Sequence, residues 1–157
     1  MLTVSGSFDY DSGRDPAVLL AHIAEELRRV KGRDIAIAGN TLHFRGGMFR
    51  FFVTNWNLLN PFGFGSITVD PARAQVRYEL SVRQTFAIAT AFVALTSVVM
   101  GRELWRQPFL LVVLALAWAF CVTSNLGVGI PRFNSFLRHA IDSAPAAPPA
   151  SAAAKDP

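Results

Sequence analysis

Cysteine is nearly absent from this chain: Cys121 stands alone among 157 residues. One thiol excludes a disulfide scaffold and a zinc site built on cysteines. Charge is also sparse. Asp, Glu, Lys and Arg make up 17% of the residues against 52% hydrophobic ones, a balance that excludes a disordered protein. Lysine is rarer still, with two lysines beside thirteen arginines. That bias and the Ala/Pro-rich end suit a GC-rich bacterial genome.

Several chemistries have no residues to carry them. No glycine-rich loop with a following lysine is present to cradle a phosphate. His22, His43 and His139 fall on three different segments, so no metal and no cofactor are expected. Cys121 has no histidine nearby in sequence to activate it. The expectation is a protein that is not an enzyme. The first residues also hold no apolar run of the kind a secretory signal needs.

The most informative scarcity is positional. Residues 1–83 carry eighteen charges and residues 132–157 carry five, whereas residues 84–131 carry three, Arg102, Glu103 and Arg106. Either side of that trio lie two apolar stretches. Thr85 to Gly101 is seventeen uncharged residues, about 25 Å as a helix and at the short end for crossing roughly 30 Å of hydrocarbon. Pro108 to Pro131 is twenty-four uncharged residues. The reading is a transmembrane hairpin over 84–130, with helices at about 85–101 and 108–130. A helical hairpin buried within a soluble oligomer is the alternative.

A loop this short makes the helices antiparallel and leaves both termini on one side. Arg73, Arg77, Arg83, Arg132 and Arg138 flank the outer ends, against Arg102 and Arg106 in the loop. The positive-inside bias then places both termini in the cytoplasm, in a bacterial inner (cytoplasmic) membrane. Neither helix holds an ionisable residue, which argues against a stand-alone transporter or proton channel. Helix one carries a seam of small residues, Ala87, Thr90, Ala94, Ser97 and Gly101. Such seams allow close backbone approach. The seam is expected to pack on Ala117, Cys121 and Ser124 of the second helix, or on a second copy or a partner's helix. Gly127 and Gly129 read as a frayed or kinked helix end.

Beyond Pro131, the residues Phe133, Phe136, Leu137, Ala140 and Ile141 recur at helical spacing with polar residues between them. Residues 131–143 are therefore expected to form a short amphipathic helix lying in the membrane interface, with docking onto the N-terminal domain as the alternative. The tail 144–157 is Pro/Ala-rich and expected to be disordered.

Residues 1–83 read as a compact, cytoplasmic α+β domain able to fold by itself: one helix on an antiparallel sheet of about five strands. Asp15-Pro16 is an N-cap followed by a first-turn proline, and Leu20, Ile23, Leu27 and Val30 form an apolar stripe. Gly39-Asn40 is a two-residue hairpin signal between Ile35–Ala38 and Thr41–Arg45. Further strands are expected at Met48–Asn55, Ser66–Val69 and Ala74–Val82. Only three residues separate the last strand from the first apolar helix, which fixes the domain's height above a bilayer.

His43, Arg45, Arg50, Arg77 and Arg83 occupy polar-side positions, either a basic face toward lipid headgroups or a solvated face. The segment 55–65 is aromatic yet broken by Asn, Pro and Gly. Its Trp56, Leu58, Leu59, Phe62 and Phe64 either cap the core or make a lipid or protein contact. Ten basic against eight acidic residues in 1–83 give no reason to expect nucleic acid. The functional expectation is an accessory, scaffold or tethered interaction protein. Its partners would be membrane lipids and a protein or second copy held through the first transmembrane helix. The alternatives are a lipid- or small-ligand-binding surface protein, and an oligomeric pore or small membrane enzyme.

Overall fold

The computed structural model describes residues 2–46, 58, 59, 61–107 and 109–145, with backbone alone at 102–106. Strand β1 (Thr3–Asp9) leads into helix α1 (Pro16–Arg29). The Asp15 carboxylate accepts the Ala17 amide at 2.8 Å, so the predicted cap starts the helix. It ends where Lys31 turns left-handed (φ 63°) and the Gly32 amide donates to the Leu27 carbonyl at 2.8 Å.

Strands β2 (Arg33–Ala38) and β3 (Thr41–Arg45) meet at the Gly39-Asn40 turn, with Gly39 at φ 57°. Strands β4 (Phe64–Asp70) and β5 (Gln75–Ser81) follow, joined by a turn in which the Asp70 carboxylate accepts the Ala72 amide. The order is β1-β5-β4-β3-β2, every neighbour antiparallel. This is the expected α+β domain: one helix and a five-stranded sheet. The strand expected at Met48–Asn55 lies outside the described residues.

Two long apolar helices follow. Helix α2 (Arg83–Arg106) is interrupted at Gly101 (φ 18°, ψ −97°), and a short helical segment continues where a loop was expected. Helix α3 (Phe109–Asp142) has 34 residues, about 51 Å of rod. Arg83–Gly101 and α3 are each long and apolar enough to cross a membrane. They pack as a hairpin: Phe86 meets Trp118 at a ring-centroid distance of 5.8 Å, and the Trp118 indole N–H donates to the Thr90 hydroxyl at 3.2 Å.

The structure differs from the sequence reading after residue 130. No separate amphipathic helix begins there. α3 runs helical through Pro131, and the apolar side of 131–143 enters the domain core rather than facing outward for a lipid interface. Phe133, Leu137, Ala140 and Ile141 are buried. The reason is geometric. α1 covers β2, β3 and β4, so the inner aromatics of β3 and β5 need a second helix above them. Phe133 supplies it, stacked on Phe44 at 6.1 Å and edge-on to Tyr78 at 5.4 Å and Phe62 at 5.7 Å. Each such fully buried side chain contributes about 1.5–3 kcal/mol.

The core therefore extends beyond residue 83 to include 133–144. Arg14 secures the far end of α3, its guanidinium donating to the carbonyls of Ile141 and Asp142. Gly127 and Gly129 also differ from the expected frayed end, since both lie inside α3.

Candidate functional site

Among the described residues, α1 and the end of α3 cover one face of the sheet and leave the other open. Strand alternation places Thr3, Ser5, Ser7, Ser66, Thr68, Arg77 and Glu79 on the open face, with His43 and Arg45 from β3. Antiparallel register lines them in rows. Thr3, Ser81, Phe64 and Arg45 form the row nearest α2, then Ser5, Glu79, Ser66 and His43, then Ser7, Arg77, Thr68 and Thr41. A shallow hollow of about 580 Å³ lies over Ser5, Ser7, Ser66 and Thr68 of the last two rows.

Where the open face meets α2 the local structure is tightly bonded. Only Val82 separates β5 from α2. The buried Thr85 hydroxyl donates to the Pro61 carbonyl at 2.7 Å, and the Gly63 amide to the Ser81 carbonyl at 3.1 Å. Leu59 and Phe62 are fully buried, whereas Phe64 is 55% exposed. The aromatic segment 55–65 thus divides: Leu59 and Phe62 cap the core, and Phe64 faces out. Trp56 and Arg50 lie outside the described residues.

Beside Phe64 is a groove of about 660 Å³, walled by Leu2, His43, Phe64, Glu79, Arg83 and Ala87. The Arg45 guanidinium sits 4.6 Å above the Phe64 ring centroid and reaches Asp34 at 3.5 Å. Arg77 belongs to another environment: it lies 3.9 Å from Asp70, as does Arg73. The arginines proposed as one basic face therefore split between the two ends of the sheet, Arg45 and Arg83 near α2 and Arg77 at the far end. Among the described residues, neither Arg83 nor Glu79 has an ion pair. At the far end, burial and then the Asp70 carboxylate raise the Tyr10 phenol above its ordinary value.

The small-residue seam also divides. Ala87 walls the groove, Thr90 accepts from Trp118, and Ala94 is exposed. The Ser97 hydroxyl bonds back to the Val93 carbonyl at 2.8 Å, and Gly101 sits at the kink. The less exposed positions of α2 mix sizes, with Ala89 buried and Phe86, Ile88, Val93, Thr96, Ser97 and Met100 part-buried. Cys121 accepts at its carbonyl from the Asn125 amide at 2.7 Å. Among the described residues no three His, Cys, Asp or Glu side chains gather to hold a metal.

Sequence reasoning put Arg83 and Glu79 on one strand face but did not join them to Phe64, Leu2 and Ala87. Strand register was the missing link, and it rests on pairing between residues far apart in sequence: Thr3 lies opposite Ser81, and the Val82 amide donates to the Leu2 carbonyl at 3.1 Å. Comparison with protein-family models, characterised proteins and solved structures found no match to this chain.

Proposed function

We propose that this chain is an integral membrane protein of two spans, with an α+β domain fixed at the bilayer surface as an interaction module. In this reading it serves as an accessory or scaffold subunit. The observation that carries it is the bareness of the two apolar helices. Only 11% of the most apolar stretch of α2 and 6% of that of α3 are buried within the chain. Phe92, Val98, Leu116 and Phe120 are between 65% and 78% exposed. A core helix of a soluble protein hides such residues; here hydrocarbon covers them.

The arginine bias adds the orientation, with both termini cytoplasmic in a bacterial inner membrane. Rigidity supports the interaction role. α3 passes unbroken from the apolar hairpin into the domain core, and α2 starts one residue after β5. The open sheet face is thereby presented at a set height.

Carbonate extraction tests the spans, and reporters fused after residue 157 test the side. The protein is expected to stay in the membrane pellet, with a cytoplasm-active reporter working and a periplasm-active one silent. Release by carbonate overturns the membrane reading; the reverse reporter pattern overturns the orientation. A stoichiometric protein co-purifying in mild detergent supports the scaffold role, and a chain that purifies alone opposes it.

A further inference from the structure

We infer that the groove between β3, β4, β5 and the start of α2 binds the headgroup of a phosphoethanolamine phospholipid; this rests on the two-span reading. The argument is the order of chemistry along the groove. Ala87, one turn into the apolar helix, lies on its bilayer side. Arg83 comes next, at the first residue of α2. Glu79 stands beyond it on β5, two residues before that strand ends. An apolar end, a cation and then an anion is the complement of acyl chain, phosphate and ammonium in that sequence outward from the bilayer.

The charges are available for the purpose. Arg83 and Glu79 both line the groove, and neither has an ion pair among the described residues. The other arginines of the open face are committed, Arg45 to Asp34 and Arg77 to Asp70. His43 adds an imidazole to the same wall, and Leu2 and Phe64 supply apolar sides for the glycerol. An anionic headgroup with no cation, such as that of phosphatidylglycerol, would satisfy Arg83 but leave Glu79 without a counter-charge. A zwitterion with its ammonium outermost satisfies both. The cation-π contact from Arg45 holds the Phe64 ring in place as one wall.

The test uses the full chain purified from membranes in mild detergent. Native mass spectrometry counts lipids retained from mixtures of phosphatidylethanolamine and phosphatidylglycerol with identical acyl chains. Phosphatidylethanolamine is expected to be preferred about threefold to fivefold, the size of one part-exposed ion pair. Glu79→Gln is expected to abolish that preference without weakening phosphatidylglycerol. Arg83→Gln is expected to weaken both lipids. Circular dichroism melting confirms that the variants fold, and Arg77→Gln, outside the groove, is expected to change nothing.

Equal retention of both lipids, preference for phosphatidylglycerol, or a preference that survives Glu79→Gln overturns the inference. Soluble phosphoethanolamine competing as well as the lipid also overturns it, in favour of a small soluble ligand. Failure of the membrane reading is seen separately, since the protein would then leave the membrane fraction before any lipid is added.

Discussion

Gly129 of α3 and Pro61 approach so closely that a Cβ at position 129 would lie 2.6 Å from the proline Cγ. The same proline's carbonyl takes the Thr85 hydroxyl bond from α2. Pro61 is thus the point where both long helices grip the domain. This accounts for a glycine inside a helix, where it otherwise costs about 1 kcal/mol relative to alanine.

Substituting Gly129→Val is expected to push α3 off Pro61 and destabilise the detergent-solubilised protein by about 1–3 kcal/mol, the usual cost of overpacking. Gly127→Ala, two residues earlier, meets nothing within 4 Å. It is expected to be neutral or stabilising by up to about 1 kcal/mol through helix propensity. Thermal melts of the two variants check the contrast; similar losses from both would remove the close contact as the explanation.

Phe133 joins Phe44, Phe62, Tyr78 and Phe136 in one aromatic cluster. Phe133→Ala is expected to cost about 3–5 kcal/mol. The same packing sets a test for the expectation that residues 1–83 fold alone. Without α3, that fragment leaves the inner sides of Phe44 and Tyr78 uncovered. It is expected to bind a hydrophobic dye and melt without cooperativity, and to recover a sharp transition when residues 131–145 are joined to it by a flexible linker. A cooperative melt of 1–83 by itself would contradict this.

The raised Tyr10 phenol sets an alkaline limit. Burial, with Asp70 adding to it, favours the neutral phenol in the folded state, so its folded pKa lies above the unfolded value near 10. Its contribution is fully present below about pH 10 and is lost as pH rises through the folded pKa. Melting temperature is expected to fall across that window, and Tyr10→Phe is expected to flatten the fall. Ultraviolet absorbance of tyrosinate follows the titration directly. An unchanged pH profile in Tyr10→Phe would assign the loss to other groups.

Local chemistry was the most legible part of the sequence. Asp15-Pro16 and Gly39-Asn40 act through atoms within a few residues, and both form the cap and turn expected of them. The stripe from Phe133 to Ile141 was legible as an amphipathic helix, but periodicity identifies an apolar face and not what covers it. Lipid interface and protein core demand the same pattern, and the uncovered aromatics of β3 and β5 decided between them.

The divided fate of the arginines has a similar cause. Arg45 and Arg77 both point outward, as alternation requires, yet antiparallel register separates them by two rows and two strands. The groove was illegible for the same reason, because its walls come from β3, β4, β5, the segment before β1 and α2. Ala87 and Ala94 show the limit of reading small residues as a contact seam, since size alone does not say which side of a helix meets its neighbour.

The unbroken course of α3 carries one more consequence. A helix whose apolar length does not match the surrounding bilayer adjusts by tilting. In α3 the apolar stretch and the core helix are one rod of 34 residues, helical on both sides of Pro131, so the domain turns with that stretch. Ten degrees of tilt about one end carries the other by about 9 Å in a rod of this length. Under the two-span proposal the attitude of the open sheet face is tied to bilayer thickness, and a thinner or thicker membrane is expected to re-aim it.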